Sequence, residues 1–168
     1  MGKYLNPGNA GFQAIRKGLY VDKSMLIEEI NKTLGSKNKL TCFTRPRRFG
    51  KSFAAQMLCA YYDCSCDSSA LFKDLKIAGQ DDYMTHLNKY QVIYIDLLWF
   101  LSNWNKASSA NPIRQMQEAI IDELTQAYPL AEAAETLPLM ICNISEQYGL
   151  HIPRNLRIRS VGTERHSA

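Results

Sequence analysis

Thr44-Arg45-Pro46-Arg47-Arg48-Phe49-Gly50-Lys51-Ser52 is the stretch on which the reading of this chain turns. It lies between residues 40–44, a short run rich in β-formers, and residues 51–62, where Phe53, Ala54, Met57, Leu58 and Tyr61 share one broad helical face. Strand, loop and helix in that order are the setting a phosphate-binding loop needs. In such a turn the backbone N–H groups point at a phosphate, and the helix N-terminus adds partial positive charge. Gly50 lets the backbone come close, Lys51 reaches the β- and γ-phosphates, and Ser52 places its hydroxyl on Mg²⁺. The general pattern GxxxxGK[ST] is incomplete, because Arg45 stands at the first glycine position. The bland alternative is a basic turn that opens an ordinary helix; the pattern in its setting favours nucleotide binding.

The same residues carry a second reading. Arg45, Arg47, Arg48 and Lys51 are a basic cluster of the kind that contacts nucleic-acid backbone phosphates without reading bases. No aromatic-interleaved stacking surface and no DNA-binding motif accompanies them, so this reading ranks below the first. Asp96, at the end of Val92-Ile93-Tyr94-Ile95-Asp96, has the form of a Walker B carboxylate that orients Mg²⁺ through water. The alternative is a carboxylate that caps the next segment. Leu97 and Leu98 follow it, where a hydrolytic enzyme of this kind usually has a water-polarising glutamate.

The surrounding chain fits one domain. It has 168 residues, 46% hydrophobic and 21% charged, a globular balance. No apolar run reaches the ~18 residues of a membrane helix, and residues 1–9 lack the apolar core of a signal peptide, so the expected location is cytoplasmic and no membrane partner is expected. Net charge is +4, but unevenly spread: residues 1–60 carry 11 Lys/Arg against 3 Asp/Glu, and residues 61–150 carry 5 against 12. The basic third points to an anionic partner. Five cysteines, an odd number, argue against a disulfide framework, and Cys59, Cys64 and Cys66 lack the fourth ligand and paired spacing of a structural zinc site.

Periodicity predicts helices at 22–34 with Asp22 as cap and Gly35 as stop, at 51–62, at 70–77, at 82–87, at 112–127 capped by Asn111, and at 136–148 stopped by Gly149. Residues 92–98 read as a strand buried on both faces, and 103–111 as a polar loop. Residues 153–168 hold four arginines, no lysine and no period, and are expected to be a disordered tail.

Gly11-Phe12, Ile15-Arg16, Tyr20-Val21-Asp22-Lys23-Ser24 and the Arg45–Ser52 loop together resemble the predicted AAA-ATPase-like proteins of bacteria. These are P-loop ATPases often fused to a nuclease-like domain of the PD-(D/E)XK type. The family's loop reads RPRRFGKS, so Arg45 departs from the general pattern but not from the family's. The resemblance runs from about residue 9 to 150. It implies an ATP site with Mg²⁺, in which Arg45, Pro46, Arg47, Arg48, Phe49, Gly50, Lys51 and Ser52 hold the nucleotide and Ser52 and Asp96 serve the metal. Asp22 and Lys23 match a family signature without an evident role.

In the family, a segment like residues 144–149 leads into an acidic strand, whereas residues 153–168 contain no aspartate. The expectation is therefore the N-terminal part of such a protein, over residues 1–152, with ATP binding kept and hydrolysis in question. The expected fold is α/β and P-loop NTPase-like but incomplete, a short parallel sheet flanked by helices. Its open edge would invite a protein partner or self-association, and a non-catalytic scaffold that needs a partner chain to complete its sheet is the third reading.

Overall fold

The computed structural model describes residues 2–36, 41–42, 50–103, 111–149 and 157–160. The elements in chain order are α1 (Ala10–Arg16), α2 (Met25–Asn31), α3 (Lys51–Tyr62), α4 (Ser69–Phe72), a 3-10 turn (Lys76–Gly79), α5 (Tyr83–His86), β1 (Ile93–Asp96), α6 (Leu97–Asn103), α7 (Pro112–Ala127), α8 (Leu137–Tyr148) and β2 (Arg157–Ser160).

The expected P-loop architecture, a sheet flanked by helices, is not found. Helices take up more than half of the described residues, and strand structure is confined to one parallel ladder of four residue pairs, Ile93↔Arg157 to Asp96↔Ser160. Among the described residues no layered sheet separates the helices. One cause lies at Asp96. Its Oδ1 accepts from the Trp99 N–H at 3.0 Å and caps a helix that starts at Leu97, so the apolar run read as one strand is divided. A short apolar run has no period that distinguishes strand from buried helix. The other expected strand, 40–44, lies outside the described residues except for Thr41 and Cys42, which are irregular and exposed. The loop expected at 103–111 lies outside them over residues 104–110. Within the stretch expected to be a disordered tail, Arg157–Ser160 forms β2, and residues 153–156 and 161–168 are not described.

The helices instead wall two hydrophobic clusters. In the first, Phe12 of α1 stacks on Phe72 of α4 with ring centroids 5.0 Å apart, and Ile27, Met57, Tyr61, Tyr62 and Ile77 close around them. The second gathers Tyr4, Leu5, Ile120 and Leu124 of α7, and Met140 and Ile144 of α8. Each ring or branched side chain fully buried here stabilises the fold by about 1.5–3 kcal/mol. β1 joins the two clusters. Strand alternation sends Ile93 and Ile95 into the second, while Val92 and Tyr94 pack on the first. It is thus covered on both faces, as the apolar run implied.

Both edges of β1 are also taken. β2 lies along one. Along the other, the Tyr94 N–H donates to the Tyr4 carbonyl and the Asn6 N–H to the Val92 carbonyl, each at 2.8 Å. The Glu123 carboxylate of α7 holds that N-terminal segment by accepting from the Tyr4 and Leu5 N–H groups at 2.9–3.1 Å. The open edge expected of a short sheet is therefore not on β1.

α3 spans the residues its spacing predicts, and seven of its twelve are buried. At its C-terminus the Asp63 carboxylate, with no exposed surface, accepts from the Gly8 N–H at 2.6 Å and the Ser65 N–H at 2.8 Å. Next to it the Tyr90 N–H reaches the Tyr62 carbonyl and the Asn88 side chain donates to the Asp63 carbonyl, both at 2.8 Å. The Tyr61 and Tyr62 hydroxyls donate to the Tyr83 carbonyl and to Asn31 Oδ1. Burial raises both phenols, Tyr61 to about 12. Asp63→Ala strands the buried Gly8 N–H, removes the acceptor of the part-buried Ser65 N–H, and is expected to lower stability by about 1.5–3 kcal/mol. Urea unfolding should show a lower midpoint at unchanged m. A midpoint equal to that of the parent chain would remove Asp63 from this role.

Candidate functional site at the head of α3

Gly50 is the N-cap of α3 and adopts φ 72°, ψ 30°, the left-handed region that favours glycine. It brings no side chain to cap the helix, and the first turn holds no acidic residue. The donors of that turn thus face the position where the expected phosphate would sit. Lys51 is half-buried in the first turn and Ser52 is exposed beside it. Arg45, Pro46, Arg47, Arg48 and Phe49 lie outside the described residues. Of the expected site, the structure therefore places Gly50, Lys51 and Ser52 together at the head of α3, and Asp96 at the end of β1, where its carboxylate caps α6.

What the sequence left without a role is the Tyr20–Ser24 signature, and here the structure is informative. A methyl group on Gly50 would come within 2.8 Å of the Lys23 Nζ. Position 50 favours glycine for its backbone angle, and the lysine tip stands directly beside it. The neighbours of Lys23 fix its backbone. Asp22 Oδ1 accepts from the Ser24 N–H at 2.8 Å, and Asp22 Oδ2 from the Lys76 N–H at 2.9 Å. The fully buried Ser24 hydroxyl accepts from the Ile77 N–H at 3.1 Å. Asp22, expected as a helix cap, thus staples the start of α2 to the 3-10 turn. Tyr20 packs edge-on against Phe12, and its hydroxyl meets Met57 Sδ at 3.2 Å. Arg16, paired with Asp74 at 2.5 Å, lies over the Tyr20 ring.

Leu19, Tyr20, Val21 and Lys23 form one wall of a groove of about 320 Å³; Gly50, Phe53, Ala54 and Met57 form the other. Its lips are apolar yet open to solvent: Leu19 is 98% exposed, Val21 68% and Phe53 51%. Sequence reasoning missed this groove, because it joins segments some thirty residues apart. The available signal was the alternation of Leu19 and Val21 about an inward Tyr20.

The cysteines raised as metal ligands sit apart from this site. Cys59 is buried within α3, and Cys64 and Cys66 follow its C-terminus. Burial, followed by the charge of Asp63, pushes the thiols of Cys59 and Cys64 up; burial does the same to Cys66, with the Asp63 charge adding to it. Among the described residues no three His, Cys, Asp or Glu side chains gather closely enough to hold a metal ion, and no helix is long and apolar enough to cross a membrane.

The head of α3 thus brings together Gly50, Lys51 in the first turn and the Lys23 ammonium group. In the family comparison, the model described as Predicted AAA-ATPase matches residues 8–153. The chain belongs to that AAA-ATPase-like family, and with it to a nucleotide-binding group of proteins. No curated protein and no solved structure matches the chain.

The Asp22 staple gives a pH signature. Burial raises its carboxyl, but the N–H groups of Lys76 and Ser24, with the Ser24 hydroxyl and the Lys76 charge, outweigh that and hold it below the ordinary 3.8. A depressed folded value means stability that is full above the unfolded value and lost as pH falls through the folded one. The parent chain should exceed Asp22→Asn in urea midpoint at neutral pH, and the gap should close as pH drops below about 4. A gap that persists unchanged in acid would show that the carboxylate charge plays no part.

Proposed function

We propose that the chain binds Mg-ATP through the turn at the head of α3. The observation that carries this is Gly50 in the left-handed region beneath the Lys23 ammonium group, opening a twelve-residue helix whose first residues are Lys51 and Ser52. The residues fit the group: an uncapped helix start, no carboxylate in the first turn to repel phosphate, and lysine side chains on both sides of the turn. Lys51 neutralises phosphate charge and the Ser52 hydroxyl ligates Mg²⁺, with the Arg45–Phe49 segment of the loop completing the cradle. Asp96 contributes to the metal through water, since one of its oxygens is engaged by α6. The bound metal would draw off charge from the phosphate oxygens. Family membership supports nucleotide binding in general, and the loop's residues support ATP with Mg²⁺.

Calorimetry of the chain with Mg-ATP tests this, with Lys51→Ala alongside. The parent should bind saturably, and loss of one charge-assisted contact should weaken binding by about 10- to 100-fold. If the loop instead serves nucleic acid, Lys51→Ala would leave binding nearly intact and reduce the salt slope by about one unit. A folded parent that ignores Mg-ATP, or a variant that binds as tightly as the parent, would reject the proposal.

A further inference from the structure

We propose that residues 19–23 are the second wall of the nucleotide site, with Lys23 on the phosphates and the nucleoside in the groove between Val21 and Phe53; this rests on the Mg-ATP reading above. The groove is graded in polarity. At one end the Lys23 Nζ stands over Gly50. From there Gly50, Phe53, Ala54 and Met57 run down one face of α3, about 10 Å of helix, with Tyr20 opposite Met57 at the far end. The volume of about 320 Å³ is at the lower end of small-ligand sites, ~300–1,000 Å³. A ligand with an anionic head and a flat apolar body matches both ends; inorganic polyphosphate satisfies only the first and a hydrocarbon only the second.

The open lips support the same occupant. Leu19, Val21 and Phe53 expose apolar surface around one concavity, and a purine placed there would cover it. The wall is also fixed in advance. Lys23 stands between Asp22 and Ser24, both tied to the 3-10 turn, and Tyr20 is packed on Phe12. Its ammonium group therefore meets a phosphate with a backbone already ordered, which lessens the entropy lost on binding. Lysine suits the task as a compact point charge that needs no fork geometry.

Two ligands, Mg-ATP and Mg-tripolyphosphate, and two variants separate the parts. Lys23 and the two apolar positions are exposed, so the substitutions leave the core intact. Lys23→Met should weaken both ligands about tenfold, and Lys23→Arg should restore most of the loss. The double variant Leu19→Gln, Val21→Gln should weaken Mg-ATP about tenfold and leave Mg-tripolyphosphate within about twofold. If these variants bind Mg-ATP like the parent while Lys51→Ala does not, the second wall is wrong and the loop reading stands. An equal loss of both ligands in the double variant also overturns the nucleoside assignment. A parent that binds neither ligand removes the loop reading and this inference together.

Discussion

A carboxylate without exposed surface ends α3, and much of the molecule is arranged around keeping it satisfied. Asp63 accepts hydrogen bonds from the Gly8 and Ser65 N–H groups, which draws the N-terminal segment and the cysteine-bearing loop onto the helix end. Burying an ionised group without partners costs several kcal/mol, so these contacts cannot be given up singly. With the C-terminus anchored, the buried face of α3 is fixed against α1 and the aromatic cluster. Its N-terminus, and with it Gly50, Lys51 and Ser52, is thereby carried to one defined place beside residues 20–24. The chemistry at one end of the helix depends on the electrostatics at the other.

The signature Tyr20-Val21-Asp22-Lys23-Ser24 shows how a short motif divides its labour. Tyr20, Asp22 and Ser24 face the protein: one packs on Phe12 and Met57, and two accept from the backbone of the 3-10 turn. Val21 and Lys23 face outward to the groove. The alternation is that of an extended segment, with every second residue turned inward. A tightly held strip of chain can thus present a cation and an apolar surface at fixed spacing.

Legibility in the sequence followed the reach of the forces. α3, α7 and α8 are readable because their apolar spacing is local, as are the Asn111 cap of α7, which accepts from the Ile113 N–H at 2.8 Å, and the Gly149 stop of α8 at φ 59°. Gly50 was readable from its place before Lys51 and Ser52. The sheet was misjudged at Asp96, where one carboxylate supports both a strand end and a helix cap, and only the cap forms a hydrogen bond to the backbone. Asp22 reads locally as the cap of the helix that follows it, though it also reaches Lys76, 54 positions away. The nearness of Lys23 to Gly50 was beyond any local pattern, because the core between α1 and α3 sets it rather than either segment.

The Glu123 contact has a consequence for how the chain is made. Its partners, the Tyr4 and Leu5 N–H groups, lie 119 and 118 residues earlier. At a synthesis rate of ~5–20 residues per second, the N-terminal segment leaves the ribosome roughly 6–24 seconds before the carboxylate that receives it exists. β1 ends at Asp96, 27 residues before Glu123, so for only the last roughly 1–5 seconds of that interval does it stand with neither α7 beneath it nor a clasped partner along that edge. Along that edge of β1, aggregation or chaperone capture would act before Glu123 clasps the N-terminal segment.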